Sequence, residues 1–454
     1  MKITRREALV LTTAGVLGAA GSPPNIVFIM ADDLGYADLS CYGRRDYSTP
    51  NIDKLAAGGI RFTQAYANSA VCSATRLALI TGRYQYRLKA GLEEPLASPA
   101  RKVGLPPEHP TLPSLLKRAG YSTTLIGKWH LGWLPDFGPL KSGYEHFWGF
   151  RGSSLDYFTH KSGIADTESD DLWDDDAPIH KTGYLTELLG DRAVAVIGDS
   201  LKAKRPFFLS LHFNAPHWPW EGPNDEAESR RIKSLIDFDG GTLKTYARMV
   251  MAMDQQVGRV MKAVEGTDTI VIFTSDNGGE RFSDTWPFTG KKTDLLEGGL
   301  RIPAIMRWPG RTRPGTTDQV AISMDWVPTL LAAAGARADP GYPPDGIDLL
   351  PMLTRGAPPV PRKLFWRYRH NEQRAVREGD MKWLKIAENT FLFNVIDDPL
   401  ERANLKGRQP EVYRRLVEDY EAWNATMLPE DPAANTHTLY SDQAADHYGN
   451  KRKQ

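Results

Sequence analysis

Cysteine is scarce in this sequence. Only Cys41 and Cys72 occur in 454 residues, too few for a disulfide framework, so they form either one bridge or two buried thiols. Neither account explains why Cys72 stands where a helix begins, four residues before Arg76. A charge excess is missing as well. Lys plus Arg and Asp plus Glu both number 56, so net charge gives no support for nucleic acid or a charged membrane as the main partner. Beyond the N-terminus there is no apolar run long enough to cross a bilayer, and no internal repeat. What remains has the composition of an ordinary globular protein, long enough for a large core and two or three structural units.

The first 21 residues, MKITRREALVLTTAGVLGAAG, place Lys2, Arg5 and Arg6 before an apolar run from Ala8 to Ala20 that ends in small residues. That run is too short to span a membrane. The Arg5-Arg6 pair predicts a twin-arginine-type export signal over residues 1–21. With it comes the expectation of a soluble mature chain, free of a membrane anchor, in the periplasm or secreted.

Short apolar runs rich in β-branched and aromatic residues alternate with helical patterns, which predicts an α/β fold with a large, mostly parallel sheet flanked by helices. Four runs end in polar residues. NIVFIM (25–30) leads into Ala31-Asp32-Asp33 and STTLI (122–126) into Gly127-Lys128-Trp129-His130. PFFLSLHF (206–213) leads into Asn214-Ala215-Pro216-His217, and TIVIFT (269–274) into Ser275-Asp276-Asn277. Ligands of open α/β sheets bind beyond the carboxyl ends of the strands, so these four tips are expected to converge on one site. Helices are expected over 50–58, 184–197, 242–264 and 324–334. A catalytic domain is thus expected over 22–355, followed by a Pro-rich linker over 356–362. A smaller antiparallel sheet with one helix and a polar tail is expected over 363–454. In that helix Val412, Leu416, Tyr420, Trp423 and Met427 recur at three- and four-residue spacing and form one apolar face.

Asp32 and Asp33 at one strand end, and Asp276 and Asn277 at another, are hard oxygen donors suited to Ca²⁺ or Mg²⁺, and spacings typical of zinc are absent. A single such pair reads as a turn or helix cap; two pairs at two strand ends point to a metal. Arg76 lies one helical turn after Cys72 and shares its face. A helix start beside Arg76, Lys128 and Lys292 attracts a tetrahedral anion, because free N–H groups and fixed positive charge point at it. Among ten histidines, His130 and His217 follow strand ends beside Trp or Pro and are the proton-transfer candidates. His109, His146 and His212 read as structural.

In order and spacing, NIVFIMADDLGYADLSCYG, CSATRLALITGRY, LIGKWHLG, NAPHWPW, FTSDNGG and GKKTDLLEGGLRIPAIMRWPG resemble the type I, formylglycine-dependent sulfatases of the alkaline phosphatase superfamily. The resemblance runs from about Asn25 to FLFNVIDDPLERANL, which ends at Leu405. It implies an alkaline-phosphatase-like fold and a sulfuric ester hydrolase acting on a sugar, aryl or alkyl sulfate. It further implies that a formylglycine-generating maturation enzyme oxidises Cys72 to an aldehyde. One hydroxyl of the hydrated aldehyde attacks sulfur, and deprotonation of the other expels sulfate. By the same resemblance Asp32, Asp33, Asp276, Asn277 and an oxygen of modified Cys72 bind one Ca²⁺, or Mg²⁺ in its place. Arg76 and His130 hold the hydrate, with His130 the base of its collapse. Lys128, His217 and Lys292 grip the sulfate, and His217 or Lys292 serves the leaving oxygen. Lys292 is implied over Lys291 because it stands five residues before Glu297 of Glu-Gly-Gly.

The chain departs from the family pattern at one place: the modification signature most often has proline two residues after the cysteine, and here that residue is Ala74. Two other functions stay open, a phosphonate or phosphate diester hydrolase of the same superfamily and a non-catalytic binder of sulfated glycans. Lys128 and Lys292, standing where phosphatases place a second metal, favour sulfate. Among weaker features, ADTESDDLWDDDAPIH (165–180) reads as a solvated loop. Trp218 and Trp220 either stack on a sugar or aryl ring or pack their own loop. Asp156, Tyr157 and His160 fall where family members vary their substrate pockets. Arg367, Arg369, His370, Arg374 and Arg377 read as outward-facing strand residues.

Overall fold

A computed structural model describes residues 23–162, 169–231 and 241–436. Residues 1–21, where an export signal is expected, residues 165–168 of the acidic stretch and residues 437–454 lie outside the described residues. The frame is a ten-stranded mixed sheet whose centre holds five parallel neighbours, in the order 269–275, 25–31, 207–212, 122–128 and 146–150, with antiparallel strands toward both edges. These central strands are buried on both faces, which is why they read as continuous apolar runs rather than alternating ones. Successive residues still point to opposite sides. Ile26, Phe28 and Met30 enter the apolar layer formed with helices 72–81, 112–118 and 326–333, whereas Val27, Ile29 and Ala31 enter the layer formed with helices 50–57, 185–203 and 243–263. No helix among the described residues is long and apolar enough to cross a membrane.

The expected fourth helix starts two residues late. A 3-10 turn occupies 323–325 and the α-helix runs over 326–333, because the buried Asp325 carboxylate accepts the Ile322 N–H at 2.8 Å and ties the entry turn.

A second sheet of four antiparallel strands, 363–368, 373–378, 381–386 and 389–394, follows the Pro-rich segment. Helix 410–424 sets Leu416 and Tyr420 on Val376, Trp383 and Leu392. It ends at Asn424, so Met427 reaches the core from the turn beyond the helix rather than from its face. The opposite face of this sheet brings Leu364, Trp366 and Tyr368 against Ala70, Ala74 and Ala78, the flank of helix 72–81.

The arginines of this sheet are not outward-facing. Arg367 and Arg377 are buried, and Arg367 donates to Asn424 Oδ1 and the Leu428 carbonyl while Arg369 donates to the carbonyls of Pro432 and Ala434. Residues 424–436 wrap over the sheet, and their carbonyls need these donors. The acidic stretch also departs from a plain solvated loop: 169–180 forms short β-pairs, and Asp171 is buried, accepting from the N–H groups of Arg151 and Gly152.

Candidate active site

The parallel register places the strand ends level. Ala31 pairs with Ser275, Met30 with His212, and His212 with Gly127. Residues just past each end therefore crowd one edge of the sheet. Gly127 permits this closeness: at φ +100° a Cβ would lie 1.8 Å from the His212 carbonyl oxygen. Facing that edge is the start of helix 72–81, where Cys72 is the first residue and all ten residues are buried. Cys41 and Cys72 are both free thiols.

The Cys72 sulfur lies 3.4 Å from Asp32 Oδ1 and 3.8 Å from Asp33 Oδ1. Lys128 Nζ donates to Asp32 Oδ2 at 2.6 Å, and Lys292 Nζ to Asp33 Oδ2 at 2.6 Å. Arg76 places Nε and Nη2 on Asp276 Oδ2 at 3.1 and 2.7 Å, with Nη2 3.6 Å from Asp32 Oδ1. Asn277 Nδ2 donates to Asp33 Oδ1 at 2.7 Å. His217 Nε2 stands 3.5 Å from Asp33 Oδ2, while its Nδ1 pairs with the Trp218 carbonyl at 2.7 Å. His130 Nε2 pairs with the Leu96 carbonyl at 2.8 Å and its Nδ1 is buried without a partner. A carbonyl only accepts, so each ring is fixed in one tautomer: His130 keeps a free lone pair at Nδ1 and His217 at Nε2.

Asp33, His130 and Thr293, which follows Lys292, all have positive φ, at 63°, 56° and 76°. Three non-glycine residues in this strained region at one site mark a geometry held by the surrounding structure.

Burial, with Asp276 next, pushes Asp32 up to about 7. Burial also pushes Asp33 upward, but Lys292 and then His217 outweigh it and hold Asp33 below the usual range. Burial, then Lys292, drives His217 down to about 3; burial and Lys128 drive His130 down too, so both rings are neutral. Burial raises the Cys72 thiol well above its ordinary value. An unmodified thiol here is therefore a poor nucleophile.

The donor set suits a metal ion. Asp32, Asp33, Cys72 and His217 each bring one ligating atom, all within 4.8 Å of one another, and Asn277 Oδ1 is buried with no hydrogen-bond partner. Asp276 adjoins this group: its Oδ2 accepts from Arg76 and its Oδ1 from the Asp33 N–H at 3.1 Å, and its side chain is hydrogen-bonded to Asp32.

Several supporting contacts have no signal in the sequence. The Leu96 carbonyl that orients His130 belongs to a loop whose own Leu96 N–H donates to Ser73 Oγ at 2.9 Å. His212, read as structural, is buried with Nδ1 3.5 Å from Arg76 Nη1 and 3.2 Å from the Lys128 carbonyl. Asp156, Tyr157 and His160 are buried. Instead of lining an open pocket, Tyr157 donates its hydroxyl to the carbonyls of Asn214 and His217 at 3.1 and 2.8 Å and holds the His217 loop.

Residues 24–336 match the Sulfatase family model. The chain is 34% identical over 400 residues to N-acetylgalactosamine-6-sulfatase of Mus musculus, covering 82% of this chain and 74% of that one. It is 34% identical over 457 residues to arylsulfatase A of Bos taurus, covering 91% and 85%. The crystal structure of Ps i-CgsB in complex with k-i-k-neocarrahexaose superposes with a TM-score of 0.81 at 29% identity, covering 95% of this chain and 98% of that chain. The chain belongs to the sulfatase family, enzymes that hydrolyse sulfate esters.

Proposed function

We propose that this enzyme cleaves the sulfate monoester of a saccharide, with residue 72 acting as a formylglycine hydrate. The supporting observation is the position of Cys72 at a helix start, within 3.8 Å of two carboxylates that are themselves paired with Lys128 and Lys292. The sulfur then marks where a hydrate oxygen stands after conversion. Saccharide chemistry is favoured by the relatives named for N-acetylgalactosamine 6-sulfate and by the neighbour solved with a neocarrahexaose.

One hydrate hydroxyl gives its proton to Asp32 Oδ1, the carboxylate oxygen nearest residue 72, and attacks sulfur while the S–O bond to the sugar breaks, and the sugar oxygen takes up a proton from His217. The second hydroxyl gives its proton to His130 Nδ1; the C–O bond to the sulfated oxygen breaks, sulfate leaves and the aldehyde re-forms, to be rehydrated by water. His130 is suited to this because the Leu96 carbonyl occupies its other nitrogen. His217 carries the leaving-group proton at Nε2: an anionic sulfate alongside raises the proton affinity that burial and Lys292 otherwise depress. Lys128 and Lys292 hold the charge that develops on the sulfate oxygens, and Arg76 with His130 holds the hydrate. A single Ca²⁺ or Mg²⁺, held by Asp32, Asp33, Asp276, Asn277 and residue 72, would supply Lewis-acid stabilisation. Residues 1–21 are proposed to direct the folded chain to the periplasm.

Mass spectrometry of the peptide containing residue 72, paired with sulfate release from 4-nitrophenyl sulfate and sulfated saccharides, tests this reading. Conversion to the aldehyde together with turnover, and loss of both in Cys72→Ala, is expected. Turnover by protein whose Cys72 remains a thiol would overturn the nucleophile.

A further inference from the structure

Glu280 lies three residues beyond Asn277, on the loop leaving strand 269–275, and no step above uses it. It is 7% exposed, and its Oε2 is buried with no hydrogen-bond partner. Burial pushes its carboxyl up to about 7, with Lys292 and then Asp33 the nearby charges acting on it most strongly. The loop is pinned beside them by the Lys292 N–H, which donates to the Gly279 carbonyl at 2.9 Å. A buried acceptor without a donor is costly, and its persistence beside a reaction centre points to a donor that arrives with the substrate.

The same corner carries an aromatic face. The Trp218 ring lies against His217 with centroids 4.5 Å apart and stays partly exposed. Trp220 meets Phe282 at 4.9 Å, which joins the His217 loop to the loop of Glu280. A partly exposed indole on one loop, with a buried acceptor on the loop packed against it, suits a sugar ring, whose C–H face packs on the indole while a hydroxyl donates to the acceptor.

We infer that Glu280 is a specificity-determining residue whose Oε2 accepts a hydroxyl beside the sulfate ester on a sugar ring resting against Trp218. A ring sulfated or methylated at that hydroxyl offers no proton and is discriminated against. This deepens, and rests on, the sulfate ester hydrolase reading.

The test uses the matured enzyme with residue 72 converted. Sulfate release is measured on 4-nitrophenyl sulfate, on the 2-, 3-, 4- and 6-sulfates of galactose, and on the best of these with its remaining hydroxyls methylated. At pH 8, where a carboxyl held up to about 7 by burial is mostly ionised, methylation is expected to lower kcat/KM about ten- to a hundredfold in the wild type, the range for a hydrogen bond to a charged group. In Glu280→Ala the methylation penalty should shrink to about threefold or less, with Glu280→Gln intermediate because its amide carbonyl still accepts. An equal penalty in wild type and Glu280→Ala overturns the inference. So does a wild type indifferent to methylation, a result that needs no variant to fold, or one that turns over 4-nitrophenyl sulfate but no galactose sulfate. Converted enzyme that releases sulfate from none of these esters defeats the hydrolase reading instead.

Discussion

Replacing Lys382 by methionine removes a cation held between two buried acids. Its Nζ lies 3.0 Å from Glu297 Oε1 and 3.0 Å from Glu401 Oε1, and all three side chains are fully buried. Without it Glu297 keeps the Tyr66 hydroxyl at 2.6 Å and Arg301 at 3.5 Å. Glu401 keeps the Glu297 N–H at 2.6 Å, so Glu401 bears most of the loss. Removing one partner of a buried ion pair costs about 3–5 kcal/mol, and K382M should lose that much in guanidinium denaturation followed by Trp fluorescence. Adding E401Q should restore more than half, since a neutral amide no longer needs the ammonium. The pH dependence has a definite sign. Burial pushes Glu401 up to about 7 from 4.5, so the folded state holds a proton the unfolded chain releases, and this group's contribution falls as pH rises from 4.5 through 7. Burial also raises Glu297, but Lys382 and then Arg301 outweigh it and hold it at about 2; its contribution is present above 4.5 and is lost as pH falls toward 2. Without the ammonium the Glu401 window extends upward, so the K382M penalty should grow between pH 6 and 8. Activity should fall too, because Gly298 N–H donates to the Thr289 carbonyl and Gly278 N–H to that of Gly299, coupling this turn to the Lys292 and Asn277 loops. A loss under about 1 kcal/mol, or a double variant no more stable than the single, would refute the reasoning.

Lys128→Ala should lower kcat/KM on 4-nitrophenyl sulfate by about 10²–10³, the effect of removing one preorganised donor; a loss within tenfold would remove Lys128 from the charge-stabilising set. Chelation of divalent cations should lower Tm by roughly 5 °C or more, with recovery on adding Ca²⁺; a Tm indifferent to both treatments would count against cation binding at the Asp32–Asp33 cluster. Glu221 is fully buried, and burial with Asp156 next pushes it up to about 9. Its contribution therefore falls as pH rises from its usual 4.5 through 9, and Glu221→Gln should gain on wild type with rising pH, up to about 1.4 kcal/mol per pH unit. Parallel melting curves at pH 5 and pH 9 would contradict this.

The continuous apolar runs ending in Asp32, Lys128, Asn214 and Asp276 were legible because a strand buried on both faces has no polar alternation to hide it, and because the polar residue that follows stands out. The antiparallel second sheet was legible from short runs broken by turns. The arginines of that sheet were not: whether Arg367 faces water depends on residues 424–436 returning over it, and nothing local to the strand says so. Tyr157 shows the same limit, since its partners are carbonyls 57 and 60 residues away.

Residue types and most of their places were therefore written into the chain itself: three carboxylates, a lysine and two histidines at strand ends, a second lysine in a Gly-containing loop, and a cysteine at a helix start. Which acid meets which lysine was settled only by the sheet, for Lys128 reaches Asp32 across 96 residues and Lys292 reaches Asp33 across 259. So was the choice of free nitrogen on His130, set by a carbonyl 34 residues away. Local chemistry fixes what a side chain can do; strand order and register fix what it does it to, because hydrogen bonds and charge act over a few ångströms of space and are blind to distance along the chain.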